Sequence, residues 1–133
     1  MTYLLDTNAC INYLNGRSEK IRQKLELLDP QEIVLCSVVK AELFYGAARS
    51  SNPEKNRDKI NHFLARFVSL PFDDQAAEAY GSIRARLERM GALIGPNDLL
   101  IAAISVSNAI TIVTHNTREF SRVDGLRLED WEA

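Results

Sequence analysis

Short apolar segments that each stop at a polar residue constrain the fold of this chain more than any other feature. Residues 2–5 run directly into Asp6, and Ile33–Cys36 runs into Ser37. Segments of this length are typical of strands that are buried on both faces of a parallel sheet. Ligands collect beyond the carboxyl ends of such strands. Asp6 therefore lies where a functional site is expected, although a simple role as the N-cap of the next helix stays open.

Helices are predicted between these strands. The helical segments are residues 9–14, 18–28, 38–48, a segment that starts at Asn52-Pro53-Glu54, a segment from Asp73 or Asp74 to about Met90, and 97–107. Further strands are predicted at residues 68–72, 110–113 and near 126–128, and Pro71 limits the first of these to an edge or a strand end. Strands that alternate with helices indicate βαβ units. We expect one domain over residues 1–133, an α/β fold that forms a three-layer α/β/α sandwich with a mainly parallel central sheet.

The composition, with 46% hydrophobic and 26% charged residues, is typical of a soluble globular protein. No apolar run approaches the roughly 18 residues that a transmembrane helix needs, and Asp6 interrupts the first apolar run too early for a signal peptide. Cys10 and Cys36 lie among apolar neighbours and are expected to be buried free thiols. We expect a cytoplasmic protein without a membrane partner. The net charge of -2 neither demands nor excludes nucleic acid.

Four acidic residues stand out because their sequence neighbours are apolar or because they follow a buried strand. Asp6 follows the first strand, Glu42 lies inside an apolar helix, and Asp98 lies in the first turn of the most apolar helix. Glu119 follows the last long strand, with Asn116 beside it. A buried carboxylate without a partner costs several kcal/mol, so each of these groups needs one.

These acidic residues indicate a metal site if they converge. Mutual repulsion would raise their pKa values unless a cation neutralised them, and hard oxygen ligands select Mg²⁺ or Mn²⁺ rather than zinc. A magnesium ion beside an anionic substrate favours phosphoryl chemistry. Two simpler explanations stay open: Asp98 could merely stabilise a helix N-terminus, and Glu42 could pair with Lys40.

Four motifs, taken in chain order, resemble those of PIN-domain nucleases. They are Leu5-Asp6-Thr7-Asn8; Ser37-Val38 followed by Glu42-Leu43 and Tyr45-Gly46; Gly95-Pro96-Asn97-Asp98 with Ile101-Ala102-Ala103; and Val113-Thr114-His115-Asn116-Thr117-Arg118-Glu119-Phe120. More narrowly, the chain resembles VapC, the toxin of VapBC type II toxin–antitoxin pairs, and residues 123–131 fit the same group. The resemblance implies a Mg²⁺-dependent endoribonuclease, with Mn²⁺ as a possible substitute, that cuts single-stranded RNA loops. In this group the substrate is typically the anticodon loop of initiator tRNA(fMet), whose cleavage inhibits translation.

The resemblance also assigns roles to residues. Asp6, Glu42 and Asp98 become the catalytic acidic triad, with Glu119 as a further catalytic acid. Asp6, Asp98 and Asn116 become metal ligands. Asn116 stands where many PIN domains have Asp, so whether it or Glu119 completes the site stays open, as does the number of metals, one or two.

Other residues are expected around this site. Thr7 and Ser37 would orient carboxylates through their hydroxyls, with simple helix capping as an equal alternative. His115 and Arg118 would contact RNA phosphates at the pocket mouth, and His115 is not expected to bind metal. Tyr13, Tyr45 and Phe44 lie near the first two motifs and could stack on an unpaired base, with core packing the better interpretation of Phe44.

The resemblance further implies a VapB-like antitoxin as partner and a homodimer. Apolar residues that the sheet leaves uncovered would supply the dimer surface, either Phe63 and Phe67 or Ala76, Ala77 and Tyr80.

Three other functions are alternatives to a ribonuclease. A phosphatase of the haloacid-dehalogenase (HAD-like) type needs a second acid two positions after the first, where this chain has Asn8. A receiver domain needs a Lys after a late strand, where this chain has Thr114-His115-Asn116. A non-catalytic PIN-like RNA-binding or interaction module stays open, although a full set of acids hinders the binding of RNA.

Overall fold

The computed structural model describes residues 1–133 as a five-stranded sheet flanked by helices. The strands are β1 (Tyr3–Leu5), β2 (Ile33–Cys36), β3 (Val68–Leu70), β4 (Thr111–Val113) and β5 (Arg127–Glu129). Their order in the sheet is β3-β2-β1-β4-β5, and every neighbouring pair is parallel. The predicted α/β/α sandwich is confirmed, and β3 lies at an edge as Pro71 requires.

Seven α-helices connect the strands. They are α1 (Thr7–Leu14), α2 (Glu19–Leu27), α3 (Ser37–Ala48), α4 (Pro53–Leu64), α5 (Asp74–Arg89), α6 (Pro96–Ser107) and α7 (Thr117–Phe120). A 3-10 turn over Pro30–Glu32 precedes β2. The helix α7 was not predicted, because its four residues are too few to show helical periodicity.

The helix starts show which polar residues act as caps. Asp6 caps α1 by accepting from the Ala9 amide at 2.8 Å, so α1 begins two residues earlier than predicted. Ser37 is not a cap: β2 runs directly into α3, Cys36 takes the cap position, and no side chain caps the helix. The Ser37 side chain is exposed as the first helical residue.

The hydrophobic core lies between the sheet and the helices. The sheet contributes fully buried Leu4, Leu35 and Ile112, and α6 contributes Ile101 and Ile104. Full burial of each such side chain stabilises the fold by about 1.5–3 kcal/mol. Both cysteines, as predicted, are buried free thiols.

The first of the two predicted dimer surfaces belongs to the core, so that choice is wrong; in the second, Ala76 is buried, but Ala77 is exposed and Tyr80 half-buried. Phe63 and Phe67 are buried and pack edge to face with ring centroids 5.2 Å apart. Phe63 also packs against Tyr13 at 5.4 Å, and Ala76 is fully buried. A helical stripe in the sequence does not distinguish a face that packs on its own sheet from one that packs on a partner.

The sheet order places the candidate site. The chain moves from β1 to β2 and β3 on one side, then returns to β4 and β5 on the other. This reversal opens a crevice at the carboxyl ends of β1 and β4, where α/β folds bind ligands. Leu5 pairs with Val113, and the Asp6 amide donates to the Val113 carbonyl at 3.0 Å. The residues after the two strands, Asp6 and Thr114, are therefore neighbours.

None of the helices combines the length and the apolar composition that a membrane crossing requires.

Candidate active site

Asp6 is the only carboxylate in the chain that is fully enclosed, with 4% of its surface exposed. Burial raises its pKa, while hydrogen bonds from the Thr114 side chain and the Ala9 amide lower it in part; the nearby charges of Glu132 and Glu42 raise it further. The side chain thus caps α1 and also faces the crevice, so the two roles considered for Asp6 do not exclude each other.

Glu42 lies in the second turn of α3 and is held by two neutral donors. The Thr7 hydroxyl donates to its Oε1 at 2.5 Å, and Asn97 Nδ2 donates to its Oε2 at 3.3 Å. No Lys or Arg forms an ion pair with Glu42. The alternative of a pair with Lys40 is therefore wrong, and the charge of Glu42 is not neutralised by the protein.

Asp98, Asn116 and Glu119 form a second group beside these acids. Asn116 Nδ2 donates to Glu119 Oε2 at 2.5 Å and lies 3.5 Å from Asp98 Oδ2. Burial is the largest cause that raises the pKa of Asp98, to about 7, and the neighbouring Glu119 is the next largest. The charges of Asp6 and Glu42 also raise this pKa. The hydrogen bond from Asn116 holds the pKa of Glu119 below its usual value. In this arrangement the Asn116 amide bridges two carboxylates through its nitrogen.

Three of the four acids line one open cleft of about 570 Å³: Asp6, Glu42 and Asp98. Glu119 does not line this cleft, although it neighbours Asp98. The only cationic side chain in the lining is Arg49, at the rim. The cleft therefore carries an excess of negative charge that attracts cations.

The donor set fits a hard divalent cation. All candidate ligand atoms are oxygens, none of the three acids has an ion-pair partner, and the raised pKa values of Asp6 and Asp98 show that their charges are unfavourable without one. Asp6 and Asp98, which line the same cleft as Glu42, could hold such an ion. Oxygen-only sites select Mg²⁺ or Mn²⁺ over zinc.

Three further predicted residues, His115, Arg118 and Ser37, do not line the cleft. Exposed His115 contacts Asp130 Oδ2 through Nδ1 at 2.9 Å, and this contact raises the pKa of His115. The ligand atoms of His115, Asp130 and Glu132 all lie within 4.8 Å of one another. Exposed Arg118 forms no ion pair, and exposed Ser37 makes no side-chain hydrogen bond with a carboxylate, unlike Thr7.

Sequence reasoning overlooked three residues of the site: Thr114, Asn97 and Arg49. Thr114 is buried beside Asp6 because the β1–β4 register pairs the ends of the two strands. A hydroxyl directly after β4 is the same signal that singled out Asp6 after β1. Asn97 reaches Glu42 only through tertiary packing of α6 against α3, which no local pattern indicates.

The comparisons with known proteins agree with this geometry. The chain matches the family model for the PIN domain over residues 3–126. It is 40% identical over 133 residues to Ribonuclease VapC2 of Rickettsia felis, covering 99% of each chain. It is also 40% identical over 131 residues to the tRNA(fMet)-specific endonuclease VapC of Salmonella typhimurium, covering 98% of each. The crystal structure of DNA-bound VapBC from Salmonella typhimurium matches with a TM-score of 0.93 and 40% identity over 98% of each chain.

A parallel sheet with three unpaired carboxylates at its switch point is consistent with the family match to PIN-domain nucleases, which use divalent metal ions. The chain belongs to the PIN-domain family and, within it, to the VapC group. The predicted family and the predicted enzyme class, a ribonuclease, are confirmed.

Proposed function

We propose that this chain is the toxin of a type II toxin–antitoxin pair, a Mg²⁺-dependent endoribonuclease that cuts the anticodon loop of initiator tRNA(fMet) in the cytoplasm and so inhibits translation. The observation that carries the proposal is the convergence of Asp6, Glu42 and Asp98 in one open cleft without an ion-pair partner. The similarity to a tRNA(fMet)-specific endonuclease VapC supports the choice of substrate. An open cleft can admit an extruded single-stranded loop, whose bases are available for stacking.

Each residue has a distinct task in this proposal. Asp6 and Asp98 would hold Mg²⁺, and a bound ion would polarise the scissile phosphate and assist the attack of water. Glu42, oriented by Thr7 and Asn97, accepts a proton from the attacking water. Asn116 and Glu119 support Asp98 from its outer side.

His115 and Arg118 are proposed phosphate contacts outside the cleft. Asp130 favours the protonated form of His115, and the Arg118 guanidinium has no carboxylate partner. The Arg118 charge is therefore free to meet an RNA phosphate as the strand enters, whereas the protonated His115 is paired with Asp130 and would meet a phosphate from within that pair.

The alternatives of a haloacid-dehalogenase phosphatase and a receiver domain do not agree with the family assignment. The three acids argue against a non-catalytic RNA-binding module. Uncompensated carboxylates weaken the binding of a polyanion, and their retention is expected only where they hold a metal.

An antitoxin is the proposed protein partner, and the solved relatives are complexes of VapB with VapC. A smaller groove of about 220 Å³ runs between α1, α3 and α4, and Ile11, Glu42 and Gly46 line both this groove and the acidic cleft. Its walls include Leu14, Leu43 and Ile60. We propose that a disordered tail folds along α1 and α3 through this groove and places an Arg or Lys among the acids.

A homodimer is the proposed assembly. With Phe63 and Phe67 assigned to the core, the exposed apolar side chains at the end of α5, Met90 and Leu93, are the better candidates for its surface. Light scattering at micromolar concentration tests the assembly, and a monomer at all concentrations would contradict it.

The experiment that tests the function is incubation of the purified chain with initiator tRNA(fMet) and elongator tRNA, with Mg²⁺ or with EDTA. Cleavage is expected only with Mg²⁺ and mainly in the anticodon loop of tRNA(fMet). Equal cleavage of both tRNAs would contradict the substrate, and cleavage in EDTA would contradict the metal dependence.

A further inference from the structure

Tyr45 is an exposed aromatic residue at the edge of the acidic cleft. It lies on α3 one turn after Glu42, lines the cleft, and leaves 68% of its surface exposed. Side chains three positions apart on a helix are neighbours. The ring of Tyr45 is therefore presented to solvent beside one of the three acids.

Arg49 follows four positions later as the C-cap of α3 and also lines the cleft. The carbon at the centre of its guanidinium group is 5.4 Å from the centroid of the Tyr45 ring, within the range of a cation–π contact. Arg49 forms no ion pair, unlike Arg22, Arg84 and Arg86. It is the only positive charge in a cleft of three carboxylates.

The fold does not account for the position of Tyr45. Other tyrosines pack in aromatic pairs, as Tyr3 does with Trp131 and Tyr80 with Phe72, and the hydroxyls of Tyr13 and Tyr80 accept hydrogen bonds from arginines. Tyr45 has neither kind of contact beyond Arg49. A side chain that contributes little to folding and borders the site is a candidate for contact with the substrate.

We propose that Tyr45 and Arg49 form a nucleotide clamp, in which Tyr45 stacks on an unpaired base beside the scissile phosphate and Arg49 contacts a neighbouring phosphate. The clamp deepens the function proposed above and depends on it. An aromatic face beside a guanidinium group combines the two interactions by which proteins bind single-stranded RNA, base stacking and phosphate neutralisation.

The charge of Arg49 favours RNA over the antitoxin as the occupant. The tail proposed above brings a cation to the acids, and Arg49 at the rim repels a cation. A phosphodiester strand is attracted by the positive charge of Arg49. When a metal ion neutralises the acids, the cleft no longer repels the strand. The clamp thus supplies positive charge on the side of the cleft where the acids alone would repel the strand.

The test compares RNA binding and cleavage for single substitutions. Binding is measured by fluorescence anisotropy with an anticodon stem–loop RNA and proteins that all carry Asp98→Asn, so that the RNA stays intact. Tyr45→Ala is expected to weaken binding about 10-fold, and Tyr45→Phe and Tyr45→Trp to rescue it. Arg49→Ala is expected to weaken binding and to reduce the slope of log Kd against log salt by about 1.

The matched control is Arg57→Ala. Arg57 lies over the ring of Phe44 at 5.9 Å, a similar pair on α4 and α3 that does not line the cleft. This variant should bind RNA like the parent protein. Thermal unfolding of each variant verifies that the fold is kept.

Abasic RNAs locate the stacked base. Removal of one particular loop base should weaken binding by the parent protein and have little further effect on Tyr45→Ala, because the same contact is already lost. Additive losses at every position would contradict stacking. An unchanged Kd and KM in Tyr45→Ala would overturn the clamp, and so would a loss confined to antitoxin binding.

The failures of the two proposals are distinguishable. If the wild-type protein cleaves RNA and the Tyr45→Ala and Arg49→Ala variants cleave it equally well, the clamp alone is overturned. Absence of cleavage by the wild-type protein, with stem–loop binding that still depends on Tyr45, overturns the proposed function and supports the clamp as a binding site.

Discussion

The Thr7 hydroxyl donates a hydrogen bond to Glu42 Oε1 across 35 positions of sequence and thereby joins the residues that follow β1 to those that follow β2. This bond fixes one oxygen of a carboxylate that has no cationic partner. Glu42 is thus oriented by a neutral donor and has no cation of the protein beside it. Thr7 is a positioning residue rather than a catalytic one.

Thr7→Ala should lower kcat about 10- to 100-fold, because a misplaced catalytic carboxylate loses alignment with its target. The KM for RNA should change little. Thr7→Ser keeps the hydroxyl and should restore kcat. Steady-state cleavage of a fluorescent stem–loop provides both values, and equal losses in the Ala and Ser variants would show that the methyl group, not the hydrogen bond, matters.

Asp98→Asn should abolish cleavage and leave the fold intact. It should also change how the stability of the metal-free protein depends on pH. Burial, followed by Glu119, raises the pKa of Asp98 to about 7 in the folded protein, whereas an unfolded Asp titrates near pH ~3.9.

The sign follows from proton linkage. The folded state binds this proton more tightly than the unfolded state, so Asp98 imposes a cost that grows as pH rises from about 4 to about 7 and stays constant above. In EDTA, the melting temperature of Asp98→Asn should therefore exceed that of the wild type by a margin that widens over this range. A margin that shrinks with rising pH would contradict the direction of the shift.

Ile104→Ala should destabilise the protein by about 2–5 kcal/mol, because it opens a cavity at a fully buried position on α6. The matched control is Leu27→Ala. Leu27 ends α2 with 82% of its surface exposed, and its substitution should stay within about 0.5 kcal/mol. Urea denaturation measures both, and similar losses at the two positions would contradict the assignment of the core.

The proposed antitoxin contact is tested by replacing the tail's basic residue with Ala. Binding should survive, because apolar contacts in the groove between α1, α3 and α4 supply most of the affinity, and ribonuclease activity should return. Calorimetry and RNA cleavage measure the two effects separately. Activity that stays suppressed would show that the tail inhibits by covering the RNA path.

Much of this architecture was accessible from local sequence patterns. Apolar runs that stop at polar residues located β1, β2 and β4, and the positions of Asp6 and Glu42 in apolar surroundings marked them before any geometry was available. The family resemblance supplied their order and their roles. Local patterns are sufficient to find Asp6 and Glu42 because a charged side chain in an apolar stretch of sequence is unfavourable for folding and so indicates a function.

What local patterns missed depends on register and packing. Thr114 reaches Asp6 only because Leu5 pairs with Val113, and Asn97 reaches Glu42 only because α6 packs on α3. Ser37 and Thr7 look alike in sequence, yet only Thr7 faces a carboxylate. Phe63 belongs to an apolar helical stripe that packs inside the same chain, against Tyr13.

Cleavage of initiator tRNA(fMet) by the wild-type protein and by Asp98→Asn, with the RNA ends identified by sequencing, tests the central claim most directly. The account predicts Mg²⁺-dependent cuts in the anticodon loop by the wild type and none by a folded Asp98→Asn protein. Undiminished cleavage by that variant would contradict the assignment of the acidic cleft as the active site.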